Sequence, residues 1–415
     1  MDVIVLGLML LSLTIWLGLL GFWGQFWRTD QQLEVTETQL ESLPVVCAVV
    51  PARNEAQLLP TSLRSLLLQD YPGSFNVFLV DDRSTDRTAN FAEGVAHAVG
   101  KPQQLHIISG ELLPPGWSGK LWAVEQGIKS ASKFAPDYFL LTDADIEHDP
   151  GNLRRLVAKA VQEDLDLVSV MVRLRCESFW EKLLIPAFVF FFQKLYPFRW
   201  VNNPNNSTAA AAGGSILIAR EALERIGGIQ VIRQALIDDC VLAKAVKKSG
   251  GVGSRGAGEQ GDKGDNHAPC PIPSQGRIWL GLSSLTRSLR PYDSLATIWD
   301  MVARTAYTQL NYSPLLLLGT LVGMPLIYLA PPVCVILGAV WSNWAIALTG
   351  LFGWLLMTFA YYPTIRFYKC SPWFAFSLPA IAFLYTLMTL DSALRHWQGR
   401  GGAWKGRVYP NPDNL

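Results

Sequence analysis

Residues 138–150, YFLLTDADIEHDP, join four apolar or aromatic residues to two aspartates separated by one alanine. The apolar run reads as a short buried strand, and Asp143 and Asp145, two apart, lean to the same face just beyond its end. Neighbouring carboxylates repel, and each costs free energy to desolvate unless a positive partner is close. The phrase is therefore either a solvated turn or the place of a cation at the end of a strand.

Working outward, the same strand-then-polar pattern recurs. VVCAVV (45–50), NVFLVDD (76–82), LHIIS (105–109) and LDLVSVMVRL (165–174) are further β-branched or apolar runs. Helical stretches lie between them, at Ala56–Leu68, Thr85–Val99 and Lys120–Ala131. Such alternation predicts an α/β domain with a largely parallel sheet covered on both faces. Ligands of these sheets collect at the carboxyl ends of the strands. The polar phrases PARNE (51–55), DDRSTD (81–86) and TDAD (142–145) fall there. The domain is expected over 45–291. Within it, 251–276 is Gly, Pro and charge without apolar period, a flexible insertion that carries no assigned chemistry at His267 or Cys270.

Half of the 415 residues are hydrophobic and only 17% are charged, more apolar than a soluble enzyme needs. A formal charge of +1 argues against nucleic acid as a partner. Six scattered cysteines without C-x-x-C spacing read as reduced, mostly buried residues, and five separate histidines form no metal cluster.

The apolar surplus lies at the ends. Val3–Trp23 is long enough to span a bilayer, so 1–27 is expected to be an anchor, with Arg28 on its cytoplasmic side. A cleaved signal peptide is the alternative; the missing basic n-region and cleavage site speak against it. Within 313–392 two spanning helices are expected, near 314–336 and 343–363, with a third run at Pro372–Leu390, and a basic tail over 393–415. Four spans, give or take one, raise a conflict. If every run crosses, the tail lies opposite the catalytic domain, yet Arg395, Arg400, Lys405 and Arg407 mark it as cytoplasmic. One run is then re-entrant or interfacial, or the middle block crosses three times. Phe179–Phe198 is either a core helix or one on the membrane surface. Asp293–Leu310 carries Leu295, Ile298, Trp299 and Val302 along one side, and 292–312 is expected as an interfacial amphipathic helix.

VVPARNE, LVDDRSTDRT, LLTDAD, GGSILIAREALERIGG and LIDDCVL stand in the order and spacing of family 2 glycosyltransferases with the GT-A fold, which the chain resembles. LPPGWSGKLWAVEQG, RSLRPYDSLATIWDMVARTAYTQL and GGAWKGR look more narrowly like the hopene-associated glycosyltransferases (the HpnB type) of bacteria. The resemblance covers nearly the whole chain apart from the insertion. It implies that Asp143 and Asp145 meet the diphosphate of a nucleotide-sugar, Asp145 through Mg²⁺ or Mn²⁺; two carboxylates on one face suit a divalent cation that bridges phosphate oxygens. It also implies that Asp81 and Asp82 receive the base and ribose above a floor of Pro51, Arg53 and Glu55. Asp82 reads equally as a helix N-cap.

Lys120, at a probable helix start, suits a phosphate. Displacement at the anomeric carbon needs a base for the acceptor hydroxyl. Asp239 matches the aspartate of the family's Glu-Asp-x-x-Leu pattern, and Asp238 stands in place of its glutamate, so either of the pair is a candidate. Arg287 and Arg290 match the arginines of a Gln/Arg-x-x-Arg-Trp phrase, with Pro291 where tryptophan is usual, so only the charge role carries over. Juxtamembrane arginines on lipid headgroups are the other reading. Gly213 and Gly214 match the acceptor side, and tight packing explains them as well.

The expectation is thus a membrane-bound inverting glycosyltransferase moving sugar from a nucleotide-sugar, a UDP-sugar in the first instance, to a membrane lipid hydroxyl such as a hopanoid. Its catalytic domain would face the cytoplasm at a bacterial inner membrane. A processive polysaccharide synthase needs more spans and an intact tryptophan phrase. A catalytically silent scaffold would have lost Asp143, Asp145 or Asp239.

Overall fold

The computed structural model describes residues 2–33, 43–250 and 276–400, with two short strands at 403–404 and 407–408. The expected insertion, except Gly276, and most of the basic tail lie outside the described residues.

An N-terminal helix α1 (Asp2–Phe22) precedes an α/β unit. Its strands are β1 (Val46–Ala52), β2 (Phe75–Asp81), β3 (Leu105–Ser109), β4 (Tyr138–Leu141), β5 (Ile146–Glu147), β6 (Leu167–Arg173), β7 (Ile216–Ala219) and β8 (Ile278–Ser288). They form one sheet in the order β3-β2-β1-β4-β7-β6-β8-β5. β1 to β4 pair in parallel, as the alternation predicts. β7 runs antiparallel between β4 and β6, β8 is parallel to β6, and β5 is antiparallel to the end of β8. Helices α2 (Leu59–Leu67), α3 (Thr88–Ala98) and α4 (Gly119–Ala131) supply the crossovers between the first four strands. α4 lies close on the sheet because Gly127 has no side chain; a Cβ there would strike Val49 and Val80.

Helix α5 (Asn152–Gln162) follows β5, and α6 (Phe179–Leu195) follows β6. α6 starts at a capping box between Ser178 and Glu181. α6 is a core helix shared between two clusters. Ile185 and Val189 pack into the α/β core, while Leu184, Ala187 and Phe190 join a second cluster with Tyr361 and Tyr385 of the helical unit. α7 (Asp238–Lys248) begins at the two aspartates. Lys247 near its other end is buried, with Nζ donating to the carbonyls of Val201, Asn203 and Thr208 at 2.7–3.1 Å. Burial pushes this ammonium down to about 8.

The expected helix over 293–310 is two helices, α8 (Leu295–Ala303) and α9 (Ala306–Gln309). The apolar side of α8 does not face outward: Ile298 and Val302 are buried against α6 and the C-terminal helices. Then come α10 (Pro314–Val340), α11 (Trp344–Phe367) and α12 (Leu378–Trp397), the last preceded by a 3₁₀ stretch Pro372–Ser377. α10 passes through a π-helical stretch at Pro325–Leu329, where Pro325 and two prolines at 331–332 remove backbone donors. Four helical segments, Val3–Phe22, Pro314–Val340, Trp344–Phe367 and Pro372–Trp397, are long and apolar enough to cross a membrane.

These segments differ in what their ends contact. The end of α1 meets the α/β unit, where Trp23 Nε1 donates to Lys194 O at 2.9 Å. Its beginning packs against Cys334 and Ile346, at the turn between α10 and α11. α11 returns to the α/β unit, with Cys370 Sγ 3.5 Å from Cys176 Sγ just beyond β6. The segment 372–397 starts there, with Phe374 against Phe179. It also ends at the α/β side: His396 packs on Tyr307 of α9, and Arg395 pairs with Asp300 of α8 at 2.8 Å. A straight crossing would put those two ends on opposite sides.

Candidate active site

The carboxyl ends of β1 and β4 and the start of α7 enclose a cleft of about 760 Å³, roofed by α8. Of the expected site residues, Pro51, Glu55, Lys120, Asp143, Asp145, Gly213, Gly214, Asp238, Asp239 and Arg290 line it.

At its centre is Lys120, the second residue of α4 after the N-cap Ser118. Its Nζ stands 3.0 Å from Asp143 and 3.1 Å from Asp238. Burial alone would lower its pKa, but those carboxylates hold it above the usual lysine range. The expected phosphate partner is therefore replaced, in this state, by two aspartates. Burial, opposed by Lys120 and reinforced by Asp145 and Asp238, pushes the Asp143 carboxyl up.

Asp239 is the more distinctive group. Its Oδ2 accepts from Gly213 N–H at 2.9 Å and its Oδ1 from Cys240 N–H at 2.7 Å. Burial first, then the charge of Asp238, raise its pKa to about 6, against Lys120 and the two amides. A carboxylate in that range is matched to taking a proton near neutrality. Gly213 leaves it room: a Cβ there would come within 3.5 Å of both Asp239 and Lys120. Gly214 is different, since a Cβ would press on Val172 at 3.0 Å, so its smallness serves packing.

Arg290 clamps the other wall. Its Nε donates to Asp145 at 2.8 Å and its Nη2 to Glu55 at 2.6 Å, tying the loop after β4 to that after β1. Arg287, three residues earlier on β8 between β6 and β5, is not among the residues lining the cleft. Its side chain is 61% exposed and pairs with Glu147, so the two arginines expected to act together point apart. Arg53, Asp81 and Asp82 sit beside the cleft at the ends of β1 and β2. Arg53 Nη1 donates to Asp82 O at 2.7 Å with the Asp82 carboxylate 3.5 Å away. Asp82 is not an N-cap: α3 starts only at Thr88, whose N–H bonds Asp86.

Residues not singled out from the sequence support the aspartate loop from below. Asn152 Nδ2 donates to His148 Nδ1 at 3.0 Å, which leaves Nε2–H to donate to Thr142 Oγ1, and Thr142 Oγ1 donates to Gly214 O at 2.7 Å. Burial lowers His148 to about 4, so it is neutral. The Asn at 152, four residues after a His at the start of a helix, is the only sequence signal for this relay. Met301 and Arg304, from α8 and its end, and Tyr292 complete the roof.

Among the described residues no three potential ligands cluster as a resident metal site. The donor set does suit a hard cation brought in with a diphosphate, since Mg²⁺ commonly takes one or two carboxylates plus substrate phosphates. The ion pairs engage Asp143 through Oδ1 and Asp145 through Oδ2. These two residues would hold Mg²⁺ or Mn²⁺, which would neutralise charge on a departing diphosphate.

A mostly parallel sheet whose strand ends carry an aspartate pair near a buried carboxylate at a helix start has the GT-A glycosyltransferase architecture. Residues 47–227 match the family Glycosyl transferase family 2, so the chain carries a glycosyltransferase domain of that family. It is similar to an undecaprenyl-phosphate 4-deoxy-4-formamido-L-arabinose transferase of Enterobacter sp. (strain 638), 31% identical over 151 residues, 35% of this chain and 42% of that protein. An uncharacterized protein of Methanocaldococcus jannaschii is 31% identical over 124 residues, 29% of this chain and 44% of the other. The chain thus spans less than half the length of these curated relatives. The mannosyltransferase PcManGT of Pyrobaculum calidifontis, solved with GDP-Man and Mn²⁺, superposes with a TM-score of 0.51 at 17% identity, over 95% of this chain and 99% of that one. That likeness is one of fold.

Proposed function

We propose that the protein transfers a sugar, with inversion, from a nucleotide-sugar to a hydroxyl of a membrane lipid. Asp239 is the observation that carries this: a buried carboxylate with its pKa at about 6, held by two amides, facing the Lys120–Asp143 end of the cleft. In the reaction Asp239 takes the acceptor's proton as its oxygen bonds to the anomeric carbon, and the diphosphate leaves with the electron pair. Asp143 and Asp145 would hold Mg²⁺ or Mn²⁺, which would supply charge neutralisation at the diphosphate, and Lys120, now paired with Asp143, is placed to share that charge. Arg53, Asp81 and Asp82 bind the base and ribose over Pro51 and Glu55, and Arg290 keeps the floor in register. A UDP-sugar donor is the expectation from the resemblance, which also offers a hopanoid as one acceptor to be compared with other membrane lipids. The test is label transfer into the lipid phase of detergent–lipid micelles from UDP- and GDP-sugars, with and without Mn²⁺. Metal-dependent transfer supports the proposal, whereas absence of both transfer and nucleotide binding would sink it.

The domain limits follow from the same assignment: an anchor at 1–27, the catalytic domain at 45–291, the α8–α9 connection at 292–312 and the helical block from 313. In it α1, α10 and α11 cross the bilayer, while 372–397 is re-entrant and returns to the catalytic side. Arg28, Arg366, Lys369, Arg395 and Arg400 then share one side, as a cytoplasmic face requires. Single-cysteine labelling with a membrane-impermeant maleimide in spheroplasts checks it: a cysteine after residue 409 is expected to be protected and one before Val3 labelled. Labelling at both ends would refute the re-entrant path.

A further inference from the structure

Next to the catalytic cleft is a second chamber of about 630 Å³. The two share Ser118, Ala235, Leu236, Ala303 and Arg304, so they are contiguous. One wall is α7 on the side away from Lys120, through Cys240, Val241 and Lys244. The opposite wall is α9 with the end of the re-entrant segment, Tyr307, Ser392 and His396. Tyr312, immediately before α10 enters its apolar run, forms the mouth; its ring stacks on His396 at 4.4 Å, and its carbonyl accepts from Tyr307 Oη at 2.7 Å. Aromatic groups of this kind favour the boundary between headgroups and hydrocarbon. The chamber therefore joins the membrane boundary to the first turn of α7, where Asp239 sits.

Its charge is unlike that of the cleft. The cleft mixes six carboxylates, Asp145 and Asp239 among them, with five cations, of which Lys120, Arg290 and Arg395 are tied up in ion pairs and Arg304 is shared with the chamber. The chamber's lining holds no carboxylate, but it includes Lys244 and Arg304, and neither is held in an ion pair among the described residues. The electrostatic neighbour of Arg304 on the cleft side is the phenol of Tyr292. The wall at 207–209 is also fixed, because Lys247, three residues beyond Lys244 on the same helix, binds the carbonyl of Thr208.

We propose that this chamber seats the phosphodiester of the acceptor, between Lys244 and Arg304, and that the acceptor is an anionic phospholipid with a free headgroup hydroxyl. This rests on the function proposed above and names its acceptor class. The donor diphosphate belongs at the Asp143–Asp145 end, so the cations on the far side of Asp239 are left for the other substrate. A lipid phosphate monoester brings its own anionic nucleophile and has no use for a base, whereas Asp239 is buried and tuned to accept a proton. A neutral polycyclic alcohol has no use for the two cations. The bond made is hydroxyl oxygen to anomeric carbon, the bond broken is anomeric carbon to diphosphate oxygen, and the proton passes to Asp239.

The test uses the full-length protein in micelles with three acceptors: phosphatidylglycerol, a polyprenyl phosphate and a neutral hopanoid alcohol. Label is expected in phosphatidylglycerol. Lys244→Ala is expected to raise the KM for that lipid about tenfold, with kcat and nucleotide affinity little changed and Lys244→Arg near wild type, while Arg304→Ala, at a residue that also roofs the cleft, is expected to raise the same KM about tenfold whatever its effect on kcat. Label confined to the polyprenyl phosphate or the neutral alcohol, or variants indifferent at both positions, would overturn the proposal. Titration of short-chain phosphatidylglycerol onto the protein reads the same site without turnover. Binding weakened about tenfold by either variant supports the site even if transfer is absent, and binding insensitive to both removes it. Loss of nucleotide binding in the wild type would instead count against the function itself.

Discussion

Asp239→Asn is expected to lower kcat by about 10²–10⁴-fold while leaving nucleotide-sugar affinity near wild type. The amide has almost the same shape but cannot take the acceptor proton. Both oxygens of the native carboxylate accept backbone N–H bonds, from Gly213 and Cys240. The substituted NH₂ would face one of those donors, so some rotation of the side chain is expected as well. The pH profile separates loss of the base from such disturbance. Burial and Asp238 push the Asp239 carboxyl up to about 6, and a base in the proposed role must be charged to act. In the wild type kcat therefore rises with pH through about 6 and levels above it. In the variant this acid limb disappears. A variant that keeps the limb at reduced height would assign the base elsewhere, with Asp238 the first alternative. Asp238→Asn itself removes a raising charge and should move the limb to lower pH.

Lys120→Met is the second large effect, about 10²-fold in kcat, comparable to losing one preorganised charge partner of a reacting group. Lys120 lies between Asp143 and Asp238 at 3.0 and 3.1 Å and also lowers the pKa of Asp239. Without it three carboxylates face one another across the cleft with no cation among them. Asp239 loses a lowering influence, so the acid limb of kcat moves above 6, opposite in direction to the Asp238→Asn shift. The two displacements, measured as pH–rate profiles of the purified variants, check the same electrostatic cluster from both sides. A Lys120→Met limb that stays in place would mean that Lys120 does not reach Asp239 in the working enzyme.

Much of the α/β unit was legible in the sequence because buried parallel strands are short apolar runs between amphipathic helices. LHIIS became β3 without change, and YFLLTDAD became β4 with its two aspartates just outside the strand. The antiparallel strands β5 and β7 were not read. Each has only two to four residues, too few for a period, and their direction comes from tertiary pairing with β8, β4 and β6. The carboxylates of the cleft were legible because their chemistry is local: pairs at strand ends and at a helix start.

The arginines show where local pattern fails. RSLRP presents Arg287 and Arg290 as equals. The first side chain, on β8, turns to Glu147 of the edge strand β5, and the second, past the end of β8, turns in to Glu55 and Asp145. Membrane path is likewise invisible to hydropathy, which counts length and not direction. Pro372–Trp397 has the composition of a span, and only its contacts, Cys370 with Cys176 before it and His396 with Tyr307 near its end, show that it is flanked at both ends by residues outside the apolar helices. Helix α8 was expected on the bilayer from its apolar side; that side is covered by α6 and α12, and its polar side roofs the cleft. Amphipathicity gives the two faces of a helix without saying what covers either.

The central claim is a single displacement in which Asp239 deprotonates the acceptor. The anomeric configuration of the glycolipid formed from an α-linked nucleotide-sugar, read by proton NMR on the labelled lipid product, tests it most directly. A β-linked product, absent with Asp239→Asn, is the predicted result. An α-linked product would require a different mechanism and contradict the account.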